Sequence, residues 1–175
     1  MAQFDGSTAQ CLVYSFKDGL LSKIAHDLKH RATRFSIEVD DQFSAIQARI
    51  DASSLQVECV MKEGVESDSG ISDSDKRKIE TQIVDDVLEA KRHPSIEFRS
   101  TSVQPVAEGY RIEGVVKMHG TEKPIVSIAR RENGHYSADL TLHQPDFGIK
   151  PFSAMLGTLK IKPDVVVRLI VPAKG

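Results

Sequence analysis

The chain has 175 residues, 40% of them apolar and 27% charged, with a formal net charge of −2. That length suffices for one domain with a substantial core. The balance of charge excludes the basic surface that nucleic acid or an anionic membrane would require, so no nucleic-acid partner is expected.

The N-terminus, MAQFDGSTAQCLVYSF, has neither a basic leader nor a continuous apolar run. No secretory signal is visible, no segment approaches the ~18 apolar residues of a membrane span, and a cytoplasmic location is expected. Residues 11–17 read as a first strand, broken at Asp18-Gly19. In the stretch GLLSKIAHDLKH that follows, Leu20, Leu21, Ile24 and Leu28 have helix-like spacing and predict a short helical turn. Phe35, Ile37 and Val39 then alternate with polar residues, and so do Ile46, Ala48 and Ile50, and Leu55, Val57 and Cys59. Each row of period two is a strand with one buried face. The two cysteines, Cys11 and Cys59, have no metal-ligand spacing and read as buried packing thiols.

Residues 62–75 are rich in Ser, Asp, Glu and Gly and predict a mobile loop ending in a helix N-cap among Ser72, Asp73 and Ser74. An amphipathic helix is predicted from about 75 to 91 on the stripe Ile79, Ile83 and Val87, with Val84 and Leu88 beside it. Lys91, Arg92 and His93 would complement its C-terminal end, and Pro94 would stop it. Asp85-Asp86 reads as a solvated helix face.

The stretch from His93 to Gly120 predicts two long strands around Glu108-Gly109, with Ile96 and Phe98 in the first and Ile112, Gly114 and Val116 in the second. A strand over 124–130, a type I′ turn at Asn133-Gly134, a return strand through Ala138, Leu140 and Leu142, a shaped loop around Phe147, and a last strand or pair of strands bent near Pro163-Asp164 complete the chain. The sum is about eight antiparallel strands and one helix in a single domain over 1–175, with no repeat and no linker. A barrel or a sandwich accommodates such a pattern.

At this point the order of features resembles the YceI-like family. The residues that carry the resemblance are Pro94, Ile96, Phe98, Ser100 and Thr101 after the helix, then Gly114, His119, Gly120, Thr121, Lys123 and Pro124. The likeness spans nearly the whole chain and is strongest from about 79 to 150. It implies an all-β, lipocalin-like fold, an elongated antiparallel barrel with one inserted helix. It also implies an apolar cavity, which in some members holds an isoprenoid. Two features depart from the family pattern: many members carry a secretion signal, and GLLSKIAHDLKH stands where others have a plainer strand.

In a barrel alternate residues point inward, so Phe35, Ile37, Ile96, Phe98, Ile112, Val116, Leu140, Leu142 and Phe147 are the expected lining of a ligand cavity. Small residues such as Gly114 and Ala138 in the same rows would leave space. The expected partner is a hydrophobic small molecule or lipid of isoprenoid type, sequestered or carried without catalysis and without a cofactor. An exposed barrel edge or end would also allow two copies to pair.

Two alternatives stand beside this reading. His26 and His30, four residues apart, would share one face of a helix and with Asp27 could serve a metal-assisted enzyme. That reading lacks the glutamate of a zinc-protease motif, sets Lys29 beside the cation, and needs a third ligand such as His119 or His143. His119 and His143 read more simply as structural residues with one hydrogen bond each. The other alternative is a stress-associated protein with a solid barrel.

Overall fold

The structure is a computed structural model and describes residues 1–19, 26–154, 157 and 159–173. Strands run in chain order as β1 (Ala2–Asp5), β2 (Gln10–Ser15), β3 (Asp27–Ala32), β4 (Phe35–Val39), β5 (Ile46–Asp51), β6 (Leu55–Lys62) and β7 (Val65–Ser67). The helix α1 (Asp73–Gln82) follows and continues as a π-turn over Ile83–Val87. Then come β8 (Ser95–Val106), β9 (Gly109–Met118), β10 (Thr121–Glu132), β11 (His135–His143), β12 (Ser153–Ala154), β13 (Leu159–Lys160) and β14 (Asp164–Pro172).

Twelve of these strands form one antiparallel sheet, in the order β1-β4-β5-β8-β9-β10-β11-β14-β2-β3-β6-β7. Three pairs in that order are bent halves of single ribbons. The stretch 2–15 is β1 and β2, 27–39 is β3 and β4, and 46–62 is β5 and β6. At the bend, Thr33 N–H donates to Ser54 O (3.1 Å) and Asp51 N–H donates to Arg34 O (3.0 Å), so pairing continues through it. The ribbons β1/β2, β3/β4, β5/β6, β8, β9, β10, β11 and β14 then make a ring of eight that closes where β14 pairs with β2. Closure removes sheet edges and sets alternate residues around an interior. The strand count differs from the expected eight: β5 and β6, expected as two strands, are halves of one ribbon, whereas β1, β3 and β7 are strands that the sequence pattern does not predict.

Register comes from the hydrophobic rows and from the turns. Asn133-Gly134, His119-Gly120 and Glu63-Gly64 all have positive φ at both residues, the conformation of a type I′ hairpin. The last of these corrects the mobile loop expected over 62–75. The chain reverses at Glu63-Gly64, and Val65–Ser67 pairs back onto β6.

The helix starts as predicted, with the Ser72 hydroxyl accepting from the Asp75 N–H at 3.1 Å. It ends earlier than predicted. Leu88 N–H bonds to Ile83 O across the π-turn, and Glu89 adopts a left-handed φ of 47°. Lys91, Arg92 and His93 therefore lie beyond the helix, and Pro94 follows an end already made. Ile79 packs on a small core of Leu28, Val57 and Val60. A carboxylate oxygen of Glu80 accepts the Val57 N–H at 2.8 Å, next to a bulge where β3 and β6 lose register.

The short helical turn predicted from Leu20, Leu21, Ile24 and Leu28 falls mainly outside the described residues. Within them the expectation is corrected: Leu28 and His30 lie on β3, held between β2 and β6. Cys11 and Cys59 are free and buried, as expected.

Candidate functional site

The barrel contains a partly open cavity of about 520 Å³. Its wall comes from every ribbon of the ring and from the helical segment. β2 contributes Cys11, Val13 and Ser15, β3 contributes Leu28, His30 and Ala32, and β14 contributes Val165, Val167 and Leu169. Ile79, Ile83, Val87 and Leu88 from the helical segment close one side. The periodicity that makes these elements thus also makes the wall, since every second strand residue faces inward.

Of the residues expected to line it, Ile37, Ile96, Phe98, Ile112, Val116, Leu140 and Leu142 do so. Phe35 and Phe147 do not face the space. Phe35 is buried in a core cluster with Ala9, Cys11, Ala32, Ile37, Val39 and Ala48 beneath β1 and β4. Phe147 is buried with Val116, Met118, Leu142 and Ile149, because its short helical turn folds under the barrel end. Ala138 lines the cavity. Gly114 does not widen it as its size suggested. The Phe98 ring lies over it, and a Cβ there would come within 2.3 Å of that ring.

Few polar groups face the interior. His30 is the largest of the fully buried side chains, and its Nε2 lies 2.9 Å from the Ser15 hydroxyl. Its Nδ1 is buried with no hydrogen-bond partner. Burial pushes the His30 pKa down to about 4, so the imidazole is neutral at physiological pH. Burial likewise pushes the Cys11 thiol up to about 12, which makes it an inert packing group. Ser127 directs its hydroxyl away from the space to Asp139 O at 2.8 Å.

His26, Asp27 and His30 do not form the metal centre that a helix would have allowed. On a strand Asp27 takes its own side, where its carboxylate accepts the Lys17 N–H at 2.8 Å. His26 and His30 both face the cavity. His143 pairs with Asp164 (2.6 Å) across β11 and β14. Among the described residues, three side chains with metal-ligating atoms converge at one place, Glu89, His93 and His119. Sequence reasoning found only His119 of these. The i, i+4 spacing of Glu89 and His93 next to a Pro was the signal available for the other two.

No helix among the described residues is long and apolar enough to cross a membrane. No curated protein matches the sequence. Solved structures do match the fold. BcnA of Burkholderia cenocepacia superposes with a TM-score of 0.65 at 14% identity, covering 97% of this chain and 99% of that one. A polyisoprenoid binding domain from Saccharophagus degradans, implicated in plant cell wall breakdown, gives 0.60 at 12% identity, with 98% and 97% covered. A Campylobacter jejuni YceI protein gives 0.57 at 18% identity, with 90% and 93% covered. At these identities the likeness shows the fold, an eight-ribbon barrel of lipocalin type. The model of the YceI-like domain matches residues 13–173, nearly the whole chain, and the protein belongs to the YceI-like family.

Proposed function

We propose that this protein holds an apolar, chain-like molecule of isoprenoid or other lipid type inside the barrel and sequesters or carries it without transforming it. The observation that carries the reading is the barrel cavity of about 520 Å³ with a predominantly aliphatic wall. That volume lies within the ordinary range for small-molecule sites, ~300–1,000 Å³. Each methylene transferred from water into such a wall contributes ~0.8 kcal/mol, so a hydrocarbon chain needs no charged contact for affinity.

The neutral pair of His30 and Ser15 supplies a polar mark on this wall. Because the imidazole is neutral, this mark suits a ligand ending in a hydroxyl or carbonyl better than one ending in a charged group. The Saccharophagus degradans relative, by its name a polyisoprenoid binding domain, supports the same ligand class.

Mass spectrometry of an organic extract from purified, never-denatured protein tests the proposal. A stoichiometric isoprenoid or fatty-acyl species is expected, lost in a folded Ala138→Phe variant whose new ring occupies the space. A blank extract, together with no uptake of added polyprenol by the emptied barrel, would overturn it.

A further inference from the structure

Where the helical segment meets the β9–β10 hairpin, three side chains of ligand type converge. Glu89 Oε2 lies 2.7 Å from His119 Nε2. The His93 and His119 rings stand 4.3 Å apart between centroids and tilt by 46°. One donor atom from each of Glu89, His93 and His119 lies within 4.8 Å of the other two. All three side chains are half-buried, with His119 only 14% exposed.

The backbone holds this arrangement in two unusual conformations. Glu89 has φ 47° and His119 has φ 52°. Histidine is enriched in the left-handed region, and a type I′ turn demands that region at His119. Glutamate has no such preference, and such a residue persists where its surroundings over-determine it. The N–H groups of Arg92 and His93 both donate to Glu89 O at 2.9 Å. That closed turn brings His93 back beside the Glu89 side chain. Arg92 Nη1 holds Glu89 Oε1 at 3.2 Å, which leaves Oε2 directed at the imidazoles. The ring of His93 stands over Gly120, its Cε1 3.4 Å from the position a Cβ would take.

We propose that Glu89, His93 and His119 form a binding site for a first-row divalent cation of the Zn²⁺ type. Two imidazole nitrogens and one carboxylate oxygen are ordinary zinc donors, and water completes the shell in a site of this exposure. Donors bound at 2.0–2.1 Å in a tetrahedron stand about 3.3 Å apart. Oε2 and Nε2 therefore need to separate by only about 0.6 Å, which side-chain rotation supplies. The ion replaces the proton shared between them, so affinity falls as the imidazoles protonate. The His119 hydrogen bond, with help from Arg92, holds the Glu89 carboxyl below the usual range and keeps it a ligand-competent anion. Val87, Leu88 and Met118, neighbours of the ligands, line the cavity. The ion would therefore tie the end of the helical segment to the β9–β10 turn at the cavity rim.

Calorimetric titration of the chelator-treated full chain with Zn²⁺ tests this, with Co²⁺ absorbance as a second probe. One equivalent should bind, at least tenfold more weakly in His119→Ala and in His93→Ala, and unchanged in His143→Ala. The imidazole proton resonances of His93 and His119 should shift with Zn²⁺ while those of His135 and His143 stay in place. That readout needs no variant and so does not depend on how well one folds. Absence of saturable binding, or shifts confined to other histidines, would overturn the proposal.

Discussion

The Phe98 ring packs against Gly114 on the neighbouring strand β9, the only kind of residue that leaves room for it. A Cβ at 114 would meet Phe98 Cε2 at 2.3 Å and Arg99 O at 2.5 Å. One obstacle is a side chain and the other is backbone, so rotation of the ring alone does not relieve the clash. Gly114→Ala should destabilise the barrel by roughly 1–3 kcal/mol, the range of overpacked cores. Urea denaturation would read it as a lower midpoint at unchanged slope. A variant as stable as the parent would show that β8 and β9 are free to move apart.

The carboxylate of Glu80 serves as a latch on β6. It takes the Val57 N–H next to the bulge, where no strand offers an acceptor. Glu80→Ala should leave that amide without its partner and cost about 1–3 kcal/mol locally. Hydrogen exchange should accelerate at Val57 and through α1, while amides of β9 to β11 keep their protection. Uniform acceleration across the barrel would refute the latch.

The buried imidazole of His30 makes stability depend on pH. Its folded pKa is about 4, against 6.5 for the exposed group. Between these values the unfolded chain binds a proton that the folded chain refuses, so stability rises with pH from about 4 to 6.5 and is flat above. The full effect is on the order of 3 kcal/mol. His30→Gln should flatten this part of the curve in thermal melts run from pH 4 to 7. An unchanged slope would assign the dependence to other groups.

Lys29 tests how far partial exposure weakens a charge network. Its Nζ lies 2.8 Å from Glu58 Oε2 and 2.5 Å from Glu66 Oε1, with the Lys29 side chain 10% exposed and the carboxylates 34% and 60% exposed. Burial alone would depress the lysine, but the two carboxylates outweigh it and raise the pKa. Solvent reaches both acids and screens the pairs. Lys29→Met keeps the buried stem and should therefore cost about 1 kcal/mol, well short of the ~3–5 kcal/mol of a fully buried pair. A chemical denaturation series would separate these magnitudes.

Much of the barrel was legible because a row of period two admits few alternatives. Ile96 and Phe98, Ile112 and Val116, and Leu140 and Leu142 alternate cleanly, and all face the cavity. Misreadings arose where two patterns competed. Leu28 and His30 fit a helical spacing as well as a strand, and the ladders from β2 and β6 decided for the strand. Phe35 and Phe147 are large, apolar and inward, yet bends in the chain place them in solid parts of the core. Glu66 looked like one more polar loop residue until Glu63-Gly64 reversed the chain beside β6. The convergence of Glu89 with His119 was hidden for a different reason. It depends on where a helix ends, and a π-turn moved that end away from Pro94.

The ladder on the free side of β6 belongs to short β7, whereas β5 is joined to β8. Below the bend, therefore, α1 and its π-turn stand between β6 and the far wall in place of strand pairing, anchored at Val57 on one side and among Val116, Met118 and Leu142 on the other. A passage opened between α1 and β6 breaks two hydrogen bonds, Glu80 to the Val57 N–H and Lys76 to Glu58 O, and a few apolar contacts, but no ladder. Under the proposed function, the rate of ligand exchange would be set by a segment whose loosening leaves the barrel intact. Selection could tune residence time through residues 73–88 while holding the melting temperature of the barrel nearly constant.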